Sequence, residues 1–208
     1  MDAQALPPLV PAFEITVASQ GMSKGLLQSD GPQFIPRASL KWRGFQVGGQ
    51  WKNVSTNSAK GEASAFFGWS GKAAGTDFGA QIAYKMLTSA TGSGNRRSVE
   101  FTGNVARKFG KLGLKASAVF SPDDFGATRH SLYVEGGPSI DLPLSIKGSA
   151  AIGHRWRQGA ADYTSFNVGL SRPVAKILTV DTRLYFTDHR ELGENYERRL
   201  VASIKLSL

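Results

Sequence analysis

From residue 13 to residue 208, apolar and polar side chains alternate with a period of two, and the 3.6-residue period of a helix is nowhere sustained. This constrains the fold more than any other feature, because a period of two puts one class of side chain on each face of a strand. Phe13, Ile15 and Val17 alternate with Glu14, Thr16 and Ala18, and Phe34, Ala38, Leu40 and Trp42 with Gln33, Arg37, Ser39 and Lys41. Ala63, Ala65, Phe67 and Trp69 oppose Glu62, Ser64 and Ser70, and the last run sets Leu200, Ala202, Ile204, Leu206 and Leu208 against Arg199, Ser203, Lys205 and Ser207. Comparable runs occupy 45–52, 78–86, 99–105, 112–120, 132–135, 144–155, 165–171 and 178–186. Together they predict about twelve strands, an even number as in single-chain bacterial barrels.

A soluble sandwich also alternates, but its open edges need protection. A barrel in lipid closes every edge, because an unpaired backbone group there costs several kcal/mol. Trp42, Trp51, Trp69, Tyr84 and Trp156 sit near the ends of the expected strands, where interfacial aromatic girdles belong. Long charged side chains such as Lys85, Lys147, Arg155 and Arg183 are placed at mid-strand, which a water-filled lumen accommodates. Composition agrees. With 41% hydrophobic residues and a mean hydropathy of -0.21 the chain is too polar for a helical membrane protein, and no stretch reaches the roughly 18 apolar residues of a spanning helix. Cysteine is absent, so neither disulfides nor thiolate metal sites hold the fold.

The connections alternate in length. Those at 42–44, 71–76, 109–111, 141–143 and 173–177 are mostly tight, and those at 22–32, 54–60, 90–96, 122–128 and 190–195 are longer and more polar. Tight periplasmic turns and longer external loops would leave both termini in the periplasm. The expected fold is therefore all-β: one transmembrane up-and-down antiparallel barrel over 13–208. Residues 1–12, with Pro7, Pro8 and Pro11, form an extended Pro-rich lead-in. Met1-Asp2-Ala3-Gln4-Ala5 has no basic or apolar signal region and reads as the start of a mature chain given an initiator methionine.

The segment from Ser19 to Pro32 resembles the first strand and loop of the TorF family of outer-membrane porins, in which a basic residue followed by Gly and a Gln-Ser/Thr pair recur. Lys24, Gly25, Gln28 and Ser29 occupy the matching positions. Gly49-Gln50-Trp51, Ser121-Pro122-Asp123-Asp124 and residues 163–171 also fit the layout, so the resemblance runs over nearly the whole chain. Gly21 and Ser23 depart from it, standing where the family usually has aromatics, and the last residue is Leu208 where outer-membrane proteins generally end in Phe. The resemblance implies porin-like transport without naming a solute.

The inward face then carries the chemistry. It holds Arg37, Lys41, Lys52, Lys85, Lys108, Lys115, Lys147, Arg155, Arg183, Arg199 and Lys205 against Glu14, Glu62, Glu100, Glu135 and Asp181. Rings of Lys and Arg in a narrow channel favour anions. The other reading is that these cations pair with carboxylates on neighbouring strands and simply fill the lumen. Net charge is +9, yet Lys and Arg are scattered at alternating positions and do not form one patch, so nucleic acid is not an expected partner. His130, His154 and His189 lie on different strands without metal-pair spacing, so no metal or cofactor is expected. Adjacent residues such as His130 and Ser131, or Asp188 and His189, point to opposite faces, which argues against a lipid-hydrolase pair. Gly92-Ser93-Gly94 is loop composition with no Gly-Lys-Ser/Thr after it. The expected function is passive diffusion of small hydrophilic solutes across a bacterial outer membrane, with lipid and lipopolysaccharide as surroundings. The alternative is a plugged barrel acting through its external loops, with the 22–32 loop folded inward as the plug.

Overall fold

The computed structural model describes residues 8–56, 58–91 and 93–208. Gly92 and the first seven residues, which include Pro7 and most of the lead-in, lie outside the described residues. Fourteen strands follow in order: β1 Val10–Ala18, β2 Gly21–Ser23, β3 Leu26–Ser29, β4 Gln33–Trp42, β5 Phe45–Asn53, β6 Gly61–Ala73 and β7 Thr76–Thr88, then β8 Arg97–Phe109, β9 Leu112–Asp124, β10 Arg129–Asp141, β11 Lys147–Arg157, β12 Tyr163–Ala175, β13 Leu178–Thr187 and β14 Arg199–Ser207. Twelve of them close an antiparallel barrel in which β4 to β14 run as a meander and β1 sits between β14 and β4. β2 and β3 pair only with each other. The twelve strands match the number of alternating runs.

The core is inside out relative to a water-soluble domain. Phe13, Phe34, Phe67, Ile82, Phe101 and Ile204 stand exposed on the outer face, each between inward-facing neighbours, while Glu62, Ser98, Ser121, Asp124, Ser131 and Ser165 are buried in the interior. Alternation therefore sorts side chains as expected, with the apolar set facing out. The buried apolar cluster is small and lies under the loops: Val54, Ala59, Leu87 and Phe125, with Ala90 packed against it.

Connections at 19–32, 54–60, 89–96, 125–128, 158–162 and 188–198 gather at one end, and two-residue turns at 43–44, 74–75, 110–111 and 176–177, with the 142–146 turn, at the other. Both chain ends of the barrel lie with the tight turns.

Three local differences from the sequence reading have physical causes. β1 begins at Val10, inside the segment read as a lead-in, because Val10 and Pro11 pair with Lys41 and Leu40 of β4. Leu144 and Ile146, read as strand residues, belong to a turn: Pro143–Ser145 form one turn of 3-10 helix, and Leu144 (φ 59) and Ser145 (φ 58) adopt left-handed backbone. Consequently Lys147 is the first residue of β11 and Arg155 is near its far end, so neither is at mid-strand.

β1 pairs with β4 over nine residues but with β14 over five, from Glu14 opposite Ser207 to Ala18 opposite Ser203. Between β10 and β11 the ladder passes from Gly136 opposite Ile152 to Ser139 opposite Ser149, skipping two positions. At the gap the backbones approach so closely that a Cβ on Gly137 would meet the Ala150 carbonyl oxygen and lie 2.7 Å from the Ala151 Cα. Gly137→Val should therefore cost about 1–3 kcal/mol of overpacking strain, read as a lower denaturant midpoint for the lipid-reconstituted barrel.

Candidate functional site

The connection from β1 to β4 does not stay outside. β2 and β3 form a hairpin turned by Lys24 (φ 50) and Gly25 (φ 80), the paired positive φ values of a two-residue turn, which is why a glycine stands there. The hairpin enters the long-loop half of the lumen, where Leu27 and Ser29 are buried. Its tip crosses to the far side of the ring. Lys24 Nζ lies 2.5 Å from Glu100 Oε1 on β8 and 3.5 Å from Asp124 Oδ2 on β9. Tyr163 on β12 donates its hydroxyl to the Lys24 carbonyl oxygen at 2.6 Å. A side chain at Gly25 would overlap Ser165 on the same strand. Burial holds the Lys24 ammonium below the ordinary lysine pKa, against the pull of Glu100.

The tip sits on a buried charge network of the wall. Lys52 is 3.3 Å from Glu62, and Lys85 bridges Glu62 at 3.3 Å and Glu100 at 2.9 Å. Arg155 donates to Asp124 at 2.6 Å, and Asp124 also accepts from the Ser131 hydroxyl and the Phe125 amide at 2.8 Å each. Lys52 donates to Gln28 of the hairpin at 2.6 Å. Among the four positions singled out by the resemblance, Lys24 thus reaches across the lumen, Gly25 leaves room against Ser165, Gln28 bonds the neighbouring wall, and the Ser29 hydroxyl donates to the Gly31 carbonyl at the hairpin base.

The other expected lining residues separate. Arg37 stacks over the Phe66 ring at 4.0 Å. Arg183, at mid-strand, donates to Asn167, Ser149 and Asp181. Glu135 accepts from Tyr133 at 2.9 Å and from Asn167 at 3.3 Å. Lys205 pairs with Glu14 at 3.0 Å and Lys108 with Asp141. Arg199, at the long-loop end of β14, reaches Glu197 at 3.7 Å. Lys41, Lys115 and Lys147 make no ion pair within 4.0 Å among the described residues, and all three are exposed on inward positions toward the tight-turn end. The long-loop half is thus closely charge-paired, and the tight-turn half holds both paired lysines, Lys108 and Lys205, and three lysines without an ion pair within 4.0 Å among the described residues.

Space follows the same division. Beside the hairpin is a cavity of about 160 Å³ between Lys24, Gln28, Glu62, Lys85 and Arg155. In the tight-turn half a space of about 400 Å³ opens between Lys108, Lys115, Lys147 and Arg183, with Asp77 and Asp141 also on its wall.

Sequence reasoning missed Asp124, assigning it to a loop, although the wall network centres on it. β9 runs two residues past Pro122, and an irregularity opposite Arg129 and Ser131 turns Asp124 inward out of simple alternation. Tyr163 and Ser165 were legible only as inward positions. The histidines stay apart: His154 faces outward against Trp156 (4.5 Å), His130 is exposed, and His189 bonds Glu191 at 2.6 Å in the 188–198 loop. Ser131 gives its hydroxyl to Asp124 and Asp188 accepts from the Thr164 amide, so neither serves its neighbouring histidine.

No family model matches the chain, and no curated protein does. Solved structures do. The chain is similar to the KdgM porin in complex with disordered oligogalacturonate, with 11% identity, 95% of this chain and 99% of that chain covered, and a TM-score of 0.64. It is similar to the NanC porin at 7% identity, covering 94% and 97% of the two chains with a TM-score of 0.61. An outer membrane channel from Pseudomonas putida F1 matches at 13% identity over 99% and 97%, with a TM-score of 0.57. At these identities the likeness is one of fold.

Proposed function

We propose that this chain is an outer-membrane, porin-like channel for passive diffusion of small hydrophilic solutes, that it prefers anions, and that it is not an enzyme. The observation that carries the reading is the tight-turn half of the lumen, where Lys41, Lys115 and Lys147 are exposed on inward positions and make no ion pair within 4.0 Å among the described residues, with Asp141 opposite Lys147 the carboxylate nearest in register. The belt of exposed Phe, Leu, Ile and Val on the outer face supports a lipid environment, since an apolar surface of that extent is not left in water. In that environment the long loops are external, the tight turns periplasmic, and lipid and lipopolysaccharide are the surroundings. The fold shared with the KdgM and NanC porins supports a channel. The KdgM neighbour was solved with an oligogalacturonate, a sugar chain carrying carboxylates, and the lysine excess here suits a solute of the same sign. The finer assignment to the TorF family is supported by Lys24, Gly25, Gln28 and Ser29, which all fall in one inward hairpin.

The purified barrel in a planar bilayer under a KCl gradient should show a reversal potential of the sign given by chloride. A cation-selective current would overturn the anion preference. The plugged-barrel reading is favoured by one feature, the hairpin lodged across the external half, which is taken up next.

A further inference from the structure

We infer that the β2–β3 hairpin is a latched gate, held shut across the external half of the lumen by Lys24 and able to swing out without disturbing the barrel. The inference rests on the channel reading and adds a closed and an open state to it.

Three features make the hairpin separable. First, the barrel is complete without it: β1 pairs directly with β4 along its whole length, ending with Ala18 opposite Gln33, so residues 19–32 leave and return at adjacent points. Second, the hairpin shares no ladder with the wall, and a two-stranded hairpin alone is marginal in water, so its inward position depends on its contacts. Those contacts are mostly polar: Lys24 to Glu100 and Asp124, Tyr163 to the Lys24 carbonyl, Lys52 to Gln28, and the Ser55 amide to the Gln28 carbonyl at 2.8 Å. Leu27 is its one buried large apolar side chain.

Third, the wall is balanced when the hairpin is away. Without Lys24 the network has three cations, Lys52, Lys85 and Arg155, and three carboxylates, Glu62, Glu100 and Asp124. Glu100 keeps Lys85 and Asp124 keeps Arg155, so withdrawal strands no buried carboxylate. Lys24 is the surplus charge. It gains solvent on leaving, which repays part of what its pairs supplied, and two states of similar free energy are the condition for gating.

The test is single-channel recording on the full chain and three variants in planar bilayers: Lys24→Ala, Lys24→Arg, and a barrel in which residues 21–31 are replaced by a short Gly-Ser linker. Folding of each is checked by the resistance of its strand content to detergent. For the parent, brief openings from a closed or low-conductance level are expected. Lys24→Ala and the linker variant should dwell in a state at least about two-fold more conductive, while Lys24→Arg keeps the parent's behaviour. If Lys24→Ala conducts as the parent does and only the linker variant is larger, the hairpin is a fixed constriction and the gate is wrong. If the folded linker variant is itself silent, the channel reading fails and the gate with it.

Discussion

Changing Lys115 and Lys147 together to glutamate should turn an anion-preferring current into a cation-preferring one. Both side chains are exposed in the tight-turn half of the lumen and make no ion pair within 4.0 Å among the described residues, and Asp141, opposite Lys147 in the ladder, is itself part-exposed and paired with Lys108, so the substitutions strand no buried charge and the barrel should still fold. The expected size follows from Coulomb's law. A unit charge about 7 Å from a permeating ion in water contributes about 0.6 kcal/mol, halved by screening over a Debye length of about 10 Å at 0.1 M salt. Reversing two lysines changes the lining by four charges, so each ion's energy moves by about 1 kcal/mol, downward for cations and upward for anions. The permeability ratio should therefore move by more than about tenfold, and the shift should shrink as salt is raised. The same reversal at Lys72, paired with Asp77 at 3.6 Å and highly exposed at the tight-turn rim, should do much less. An unchanged reversal potential would show that the free lysines do not border the conduction path.

The second large effect is on stability. Asp124→Asn keeps the volume of the side chain and removes its charge, in a place where the carboxylate is 4% exposed and faces Arg155 at 2.6 Å and Lys24 at 3.5 Å. Arg155 then loses its ion-pair partner while still 88% buried, and its Nε already has no hydrogen-bond partner. Breaking a buried pair from one side costs about 3–5 kcal/mol, because the remaining charge stays desolvated. The denaturant midpoint of the reconstituted barrel should fall accordingly, whereas Asp123→Asn, one residue earlier and exposed, should leave it within about 0.5 kcal/mol. Equal midpoints for the two variants would mean that water reaches the network freely and the pairs contribute little.

The barrel was legible because its signal is local. Each strand announces its two faces by its own alternation, and the order of tight and long connections then sets topology without any knowledge of distant contacts. What was not legible is where the chain departs from that rule. Leu144 and Ile146 keep the apolar spacing of a strand but sit in a turn, which displaced Lys147 and Arg155 from the positions assigned to them. Asp124 lies beyond a proline and beside a register irregularity, so parity counting could not turn it inward. The pairing of Lys85 with Glu62 and Glu100 was open to a cross-strand argument, since β6, β7 and β8 are neighbours. That of Lys24 with residues 76 and 100 positions away was not. One signal did exist for the hairpin: Lys24-Gly25 between short runs is the composition of a two-residue turn.

The short seam between β1 and β14 has a kinetic consequence. Every other neighbouring pair in the ring joins strands consecutive along the chain or separated only by the hairpin, and can zip up from its own turn on microsecond timescales. The seam instead unites residues 14–18 with residues 203–207, almost the full length of the chain apart, and repays that loop closure with a ladder of only five residues, flanked by the hydrogen bonds that Phe13 and Leu208 exchange. Its formation is therefore expected to be the last and slowest step of assembly. Until it forms, the growing sheet has two open edges, β1 and β14, and these are the strands exposed to pairing with another chain.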